Sequence, residues 1–120
     1  MQDYRKLDVW REAHQLTLDA YRLTKAFPSE ERFGLSSQLR RSAASVPTNI
    51  AEGCGRQTPR DTAHFFQIAI GSTNEAEYQA LLARDLGYVT DEQHSTFAER
   101  VSRTRRMLSG LSRRVRNSLG

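Results

Sequence analysis

The segment LRRSAASVPTNIAEGCGR, residues 39–56, decides the fold because it combines a helical hydrophobic pattern with a helix breaker. Its apolar residues recur every three or four positions, which gives a helix one apolar face: Leu39, Ala43, Val46 and Ile50. Pro47 lies within this face, where a proline removes one backbone donor and frees the carbonyl of Ala43, at a cost of about 3 kcal/mol in an ordinary helix. We therefore expect a kink or a short break near Val46.

Small side chains surround the proline and would let another backbone approach closely. They are Ser42, Ala43, Ala44, Ser45 and Thr48, and the hydroxyls of the two serines and the threonine could satisfy a loosened carbonyl. Asn49 projects beside the apolar face, and an unpaired buried amide costs roughly 1 to 3 kcal/mol, so it must find partners. The favoured interpretation is a core helix in which Asn49 fixes the register of packed helices; a catalytic amide is the alternative.

Composition indicates a single helical domain covering residues 1–120. The chain is 38% hydrophobic and has only 7 Gly and 3 Pro, which is typical of a helical globular protein. No apolar run reaches membrane-spanning length, and the start MQDYRKLD lacks the apolar core of a secretion signal, so we expect a cytoplasmic protein. The one cysteine, Cys54, cannot form an internal disulfide and has no histidine beside it, which favours a small core or interface residue.

Three further helices flank the central segment. The first is predicted from Asp8, as its cap, to Phe27, with a seam that begins at Trp10 and an apolar face wide enough for two partners or a second subunit. The third is predicted from Thr58, its cap, through Pro59 to Leu86, with a stop at Gly87. The fourth begins at Thr90, and Gln93 completes a capping box. Four helices with short connections predict an all-α, up-and-down antiparallel four-helix bundle.

The third helix has a seam of unusually small residues, which predicts close helix packing: Phe66, Ala69, Thr73, Ala76, Ala80 and Ala83. Gly71 lies in the middle of this helix without a turn signal around it, so we interpret it as a packing residue.

Positive charge is concentrated at the carboxyl end. The net charge is +4, yet up to Glu99 acids slightly outnumber bases. Beyond Glu99 the chain has no acidic residue and many arginines: Arg100, Arg103, Arg105, Arg106, Arg113, Arg114 and Arg116. Arginine is suited to bidentate phosphate contacts. We predict a phosphate-binding surface, assisted by Arg56 and Arg60 if assembly brings those ends together; a solvated helix face is the alternative. Aromatic residues are sparse near this run, which disfavours a single-strand stacking mode.

The sequence contains no convincing catalytic or metal site, so we expect no enzyme, no catalytic residues, no metal and no cofactor. Bundles that bind metals use paired Glu-x-x-His motifs, whereas the nearest pattern here is a single Asp61-x-x-His64. The other histidines, His14 and His94, have no matching carboxylate. Glu75 and Glu77 face different directions on a helix. We expect one of them to pair with an arginine across a helix interface, such as Arg40 or Arg41, and the other to be solvated.

Four ordered motifs resemble the four-helix-bundle family of 23S ribosomal RNA intervening-sequence proteins. They are LDVWREA at 7–13, FPSEERFGLSSQLRRSA at 27–43, SVPTNIAEGCGR at 45–56 and IAIGSTNEAE at 68–77. The resemblance implies a bundle that assembles as a ring-like homopentamer. It also implies kinship to the accessory variability proteins of diversity-generating retroelements, which bind nucleic acid and a reverse transcriptase. It implies no enzyme activity.

Two functions from different classes follow. The first is a nucleic-acid-binding module, for structured RNA above all, whose arginines neutralise phosphates without reading base edges. The second is a protein-interaction scaffold, whose arginines form intersubunit or partner salt bridges.

Overall fold

Four helices account for most of the chain in this computed structural model, which describes residues 3–118. They are α1 (Asp8–Thr24), α2 (Leu35–Cys54), α3 (Pro59–Asp85) and α4 (Asp91–Asn117), with short 3-10 helices at Tyr4–Lys6 and Ser29–Glu31. Within residues 3–118 there is no strand. Each helix packs on the next in chain order, α4 also packs on α1, and in the diagonal pairs the helix backbones are farther apart. The all-α four-helix bundle is therefore confirmed, as a rod of 48 × 24 × 20 Å.

The ends of α3 and α4 follow the sequence signals. The Thr58 hydroxyl accepts the Asp61 N–H at 3.2 Å, and Thr90 and Gln93 form the reciprocal capping box. Gly87 has φ +80°, and the N–H of Tyr88 donates to the carbonyl of Ala83 at 2.9 Å. This closure needs a left-handed residue just beyond the helix, a conformation that glycine adopts without a steric penalty.

The first helix differs from its prediction at both ends. Asp8 is the first helical residue and not the cap; Leu7 occupies the cap position without a side-chain hydrogen bond, and Asp8 pairs with Arg11. The helix ends at Thr24, and the chain tightens into three-residue turns up to Phe27, whose N–H donates to the Thr24 carbonyl at 3.1 Å. Pro28 keeps Phe27 out of the helix, because a proline disfavours helical geometry in the residue before it.

The short break predicted near Val46 as the alternative to a kink does not occur. The helix α2 runs without interruption from Leu35 to Cys54, with Pro47 buried inside it. The carbonyl of Ala43, which Pro47 deprives of its usual donor, accepts a hydrogen bond from the Thr17 hydroxyl of α1 at 3.1 Å. The missing bond is thus replaced by the neighbouring helix and not by the hydroxyls of α2 itself.

Asn49 is half-buried and its amide is satisfied inside its own helix. It donates to the carbonyl and the hydroxyl of Ser45, at 2.8 and 2.9 Å. The Ser72 hydroxyl of α3 donates to the same Ser45 hydroxyl at 2.8 Å. Asn49 therefore reaches α3 only through Ser45, and the serine pair is one of three direct polar links between α2 and α3, with those of Ser42 to Gln79 and of Thr62 to the Gly53 carbonyl.

The core confirms the small seam of α3 but not the role predicted for Gly71. The seam residues are all buried, whereas Gly71 is exposed, and a Cβ added there would meet nothing within 4 Å. The close approach between α2 and α3 occurs at Gly53 of α2, where an added Cβ would lie 2.9 Å from the Phe66 ring of α3. Trp10 is half-buried at the edge of the core.

Candidate nucleic-acid interface

The first part of the arginine run is neutralised by acids of α1. Arg100 contacts the carboxylates of Glu12 and Asp19 at 2.9 and 2.7 Å, and Arg103 contacts Glu12 at 2.9 Å. The expectation that these arginines lack compensating acids is therefore wrong. The acids precede them by almost the whole length of the chain and reach them through antiparallel packing.

Arg105 is also ion-paired, with an acid of α3. It donates to Glu77 and to Asn74, each at 3.0 Å. Glu77 thus pairs across a helix interface as expected, but with Arg105 and not with Arg40 or Arg41.

The other residues named for that contact lie elsewhere. Arg40 donates to the Thr24 hydroxyl at 2.7 Å and lies over the ring of Tyr21. Glu75 is exposed, as is Arg41, and both line a polar groove between α2 and α3.

The second part of the run is exposed at the carboxyl end of α4. Arg106 donates to the Ser102 hydroxyl at 2.8 Å. Arg113, Arg114 and Arg116 are exposed, and none has a salt-bridge partner among residues 3–118. These side chains are free to contact an external anion.

Arg56 and Arg60 lie beside this end of α4 within a single chain. The connection between α2 and α3 and the end of α4 line one groove, which includes Arg56 and Val115. Arg56 contacts Glu52 at 2.9 Å and lies 4.5 Å from the centre of the Phe65 ring. Arg60 is exposed and has no salt bridge within the described part of the chain. The expected juxtaposition therefore requires no second subunit.

Antiparallel packing adds Lys6, which the sequence did not single out. Lys6, Arg106 and Arg114 line a groove between the start of α1 and the end of α4. An up-and-down bundle necessarily places the starts of α1 and α3 at the same end as the finishes of α2 and α4, and this rule could have identified Lys6. We call the whole set the basic end: Lys6, Arg56, Arg60, Arg106, Arg113, Arg114 and Arg116.

The opposite end of the bundle is rich in acids. We call it the acidic end, and its acids are Glu30, Glu31, Asp85, Asp91 and Glu92. Glu31 accepts the Leu35 N–H at 3.1 Å and the Tyr88 hydroxyl at 2.8 Å. The hydrogen bonds from Leu35 and Tyr88 lower the pKa of Glu31. The bond to Glu31 raises the pKa of Tyr88.

The remaining reactive side chains form no further cluster in residues 3–118. No group of three or more His, Cys, Asp or Glu side chains there could hold a metal ion. His14 stacks on Trp10, and His64 lies edge-on to Phe65. Cys54 is buried, and burial raises the pKa of its thiol. None of the four helices is long and apolar enough to cross a membrane.

The fold and the charge distribution place this chain in a class, that of helical-bundle proteins with one basic end. Residues 5–110 match the model of the 23S rRNA-intervening sequence protein family. The chain belongs to that family, which confirms the resemblance seen in its motifs.

A solved structure supports the same assignment. It is a crystal structure of a protein of unknown function from the S23 ribosomal protein family of Bacteroides thetaiotaomicron, 25% identical to this chain. The match covers 88% of this chain and 95% of that one, with a TM-score of 0.81. A search of proteins with curated descriptions found no match.

Proposed function

We propose that this protein is a non-enzymatic, oligomeric helical bundle of the cytoplasm that binds structured RNA, or another nucleic acid, through its basic end with little sequence specificity. The observation that carries the proposal is the grouping of Arg113, Arg114 and Arg116 with Arg60 at one end of one chain, where none of the four is ion-paired within residues 3–118. Arginines without an internal acid keep their charge available for phosphates, which supply most of non-specific affinity.

Because of the internal ion pairs, the proposed interface includes fewer arginines than the whole run. Arg100, Arg103 and Arg105 already contact carboxylates, so phosphate binding by them would first break those contacts. The proposed interface therefore excludes these three residues. Weak sequence preference is expected because phosphate contacts position a protein without reading base edges.

The test is RNA binding over a salt series, with a charge-matched control. The test variant carries Arg113→Gln, Arg114→Gln and Arg116→Gln; the control carries Arg22→Gln, Arg32→Gln and Arg84→Gln, toward the acidic end. If three phosphate contacts are lost, the log–log salt slope falls by about 2 to 3, at about 0.7 to 0.9 per phosphate. The control should keep the native slope. Equal slopes and affinities in both variants would refute RNA binding by the basic end.

We further propose that the protein assembles as a ring-like homopentamer. The support is an exposed stripe on α3, where Ile68 is 40% exposed and Tyr78 is 62% exposed. Gly71 lies between them and is exposed. Exposed apolar surface of this kind marks interaction sites. Native mass spectrometry tests the assembly, and a monomer at micromolar concentration would refute it.

The second candidate function is a protein-interaction scaffold, favoured by one observation at the acidic end. Phe33 is 87% exposed there, and Leu86 is 50% exposed. A partner protein, a reverse transcriptase included, would then be recruited through apolar contacts. This function predicts that the arginines form salt bridges with other subunits or with a partner. Arg100, Arg103 and Arg105 instead form salt bridges within one chain. Loss of partner capture on Phe33→Ser, with unchanged RNA affinity, would favour this function.

A further inference from the structure

Three aromatic rings form a row on the surface of the bundle next to the basic end. The rings of Tyr4 and Trp10 meet edge to face, with centroids 5.0 Å apart. Those of Trp10 and His14 are stacked, 5.2 Å apart with an angle of 5° between their planes. His14 is exposed and Trp10 is half-buried. The core therefore does not enclose this row.

The row forms one wall of a groove between α1 and α2, of about 380 Å³. Small residues of α2 line its other side, including Ala44, Pro47 and Ala51. Ligand pockets have volumes of this order, with apolar walls and a few polar groups. The aromatic wall and the small opposite side leave space for a flat ring.

The groove lies near two residues of the basic end. Glu52 lines its edge, and the carboxylate of Glu52 holds Arg56 at 2.9 Å. Lys6 lies on the other side, directly after the Tyr4 turn. Arg5 and Arg11 are nearby but are ion-paired with Asp3 and Asp8. A nucleic-acid strand held by Lys6 would therefore pass beside the groove.

We propose that this groove takes an unpaired nucleobase of the RNA, stacked against the Trp10–His14 pair. The inference rests on the proposed function and specifies its ligand as a duplex with adjacent unpaired nucleotides. Bases stack on aromatic side chains largely irrespective of sequence. The Glu52 carboxylate accepts hydrogen bonds, so it favours a base with an exocyclic amino group, such as adenine or cytosine, over uracil.

The chain carries its own probe, because Trp10 is its only tryptophan. The native protein is titrated with a blunt RNA duplex, the same duplex with an adenosine overhang, and the same duplex with a uridine overhang. Tryptophan fluorescence reports whether a base occupies the groove. The anisotropy of a label at the far end of the RNA reports binding of the RNA independently. We expect strong quenching with the adenosine overhang, weaker quenching with uridine, and none with the blunt duplex.

The variant His14→Ala removes half of the stacked pair at an exposed position and keeps the probe. It should weaken binding of the adenosine-overhang RNA by roughly tenfold, within the range measured for base–aromatic stacking, and leave blunt-duplex binding unchanged. His94→Ala, near the acidic end, is the control and should change neither.

Three results would overturn the inference. Binding of all three RNAs without quenching, or with equal quenching, would refute the groove and leave the proposed function intact. A Trp10 emission that depends on protein concentration and is protected from acrylamide would mean that a second copy covers the groove. No anisotropy change with any RNA would refute both the groove and the proposed function.

Discussion

Replacing Thr17 by valine should show how the bundle accommodates a proline in its central helix. The Thr17 hydroxyl donates at 3.1 Å to the carbonyl of Ala43, the group that would otherwise receive the N–H that Pro47 lacks. Valine has nearly the same shape and a similar helix propensity. Thr17→Val therefore removes this donor with little other change.

The expected loss follows from the burial of Ala43, whose side chain is fully enclosed. An acceptor left unpaired in such surroundings costs about 1 to 3 kcal/mol. Thr17 also contacts the carbonyl of Ala13 at 3.1 Å, but that carbonyl already has a partner within α1, so its contribution is small. We expect the free energy of unfolding to fall by about 1.5 kcal/mol.

A double-mutant cycle with Pro47→Ala isolates the mechanism. Alanine at position 47 restores the backbone N–H that can bond to Ala43, so Thr17→Val should then cost almost nothing. Denaturant unfolding of the four proteins at one protein concentration gives the coupling energy, expected at about 1 kcal/mol or more. An equal cost of Thr17→Val in the native background and in the Pro47→Ala background would refute the reasoning.

Two further predictions concern the glycines of the core helices and the Glu31 contact. Gly53→Ala should destabilise by about 1 to 2 kcal/mol, because its Cβ would lie 2.9 Å from the Phe66 ring. Gly71→Ala, with open space around it, should stabilise by about 0.5 to 1 kcal/mol, and denaturant unfolding measures both changes. The lowered pKa of Glu31 means that its contribution to stability is present above its ordinary value of 4.5 and is lost as pH falls below it. The stability difference between native protein and Glu31→Gln should shrink on acidification, and a pH-independent difference would contradict this.

The fold was predictable because its signals are local in sequence. The cap at Thr58, the capping box at Thr90 and the stop at Gly87 each depend on residues within one or two helical turns. The predicted start of α1 was wrong. Asp8 is a good cap by residue type, but it is the first residue of the helix and pairs with Arg11. Side-chain preference alone did not distinguish these two positions.

The sequence predicted the candidate site only in part, because residues far apart in the sequence determine which arginines are neutralised. Glu12 and Asp19 neutralise Arg100 from a different helix, and Glu12 lies 88 positions earlier in the chain. Counting charges along the sequence cannot detect such pairs. The same packing brings Tyr4 and Trp10 to the basic end, although aromatic residues are scarce near the arginines in the sequence.

The alanine seam of α3 leaves this bundle little tolerance to mutation in either direction. Ala69, Ala76, Ala80 and Ala83 are buried almost completely, and substitution to glycine removes a buried methyl group and costs about 1 kcal/mol in helix propensity. Any larger residue must push α2 or α4 outward, and overpacking costs about 1 to 3 kcal/mol at a single site. Alanine also loses no side-chain entropy on folding. Variation among related sequences should therefore accumulate on the outward faces of α3, while the seam stays small.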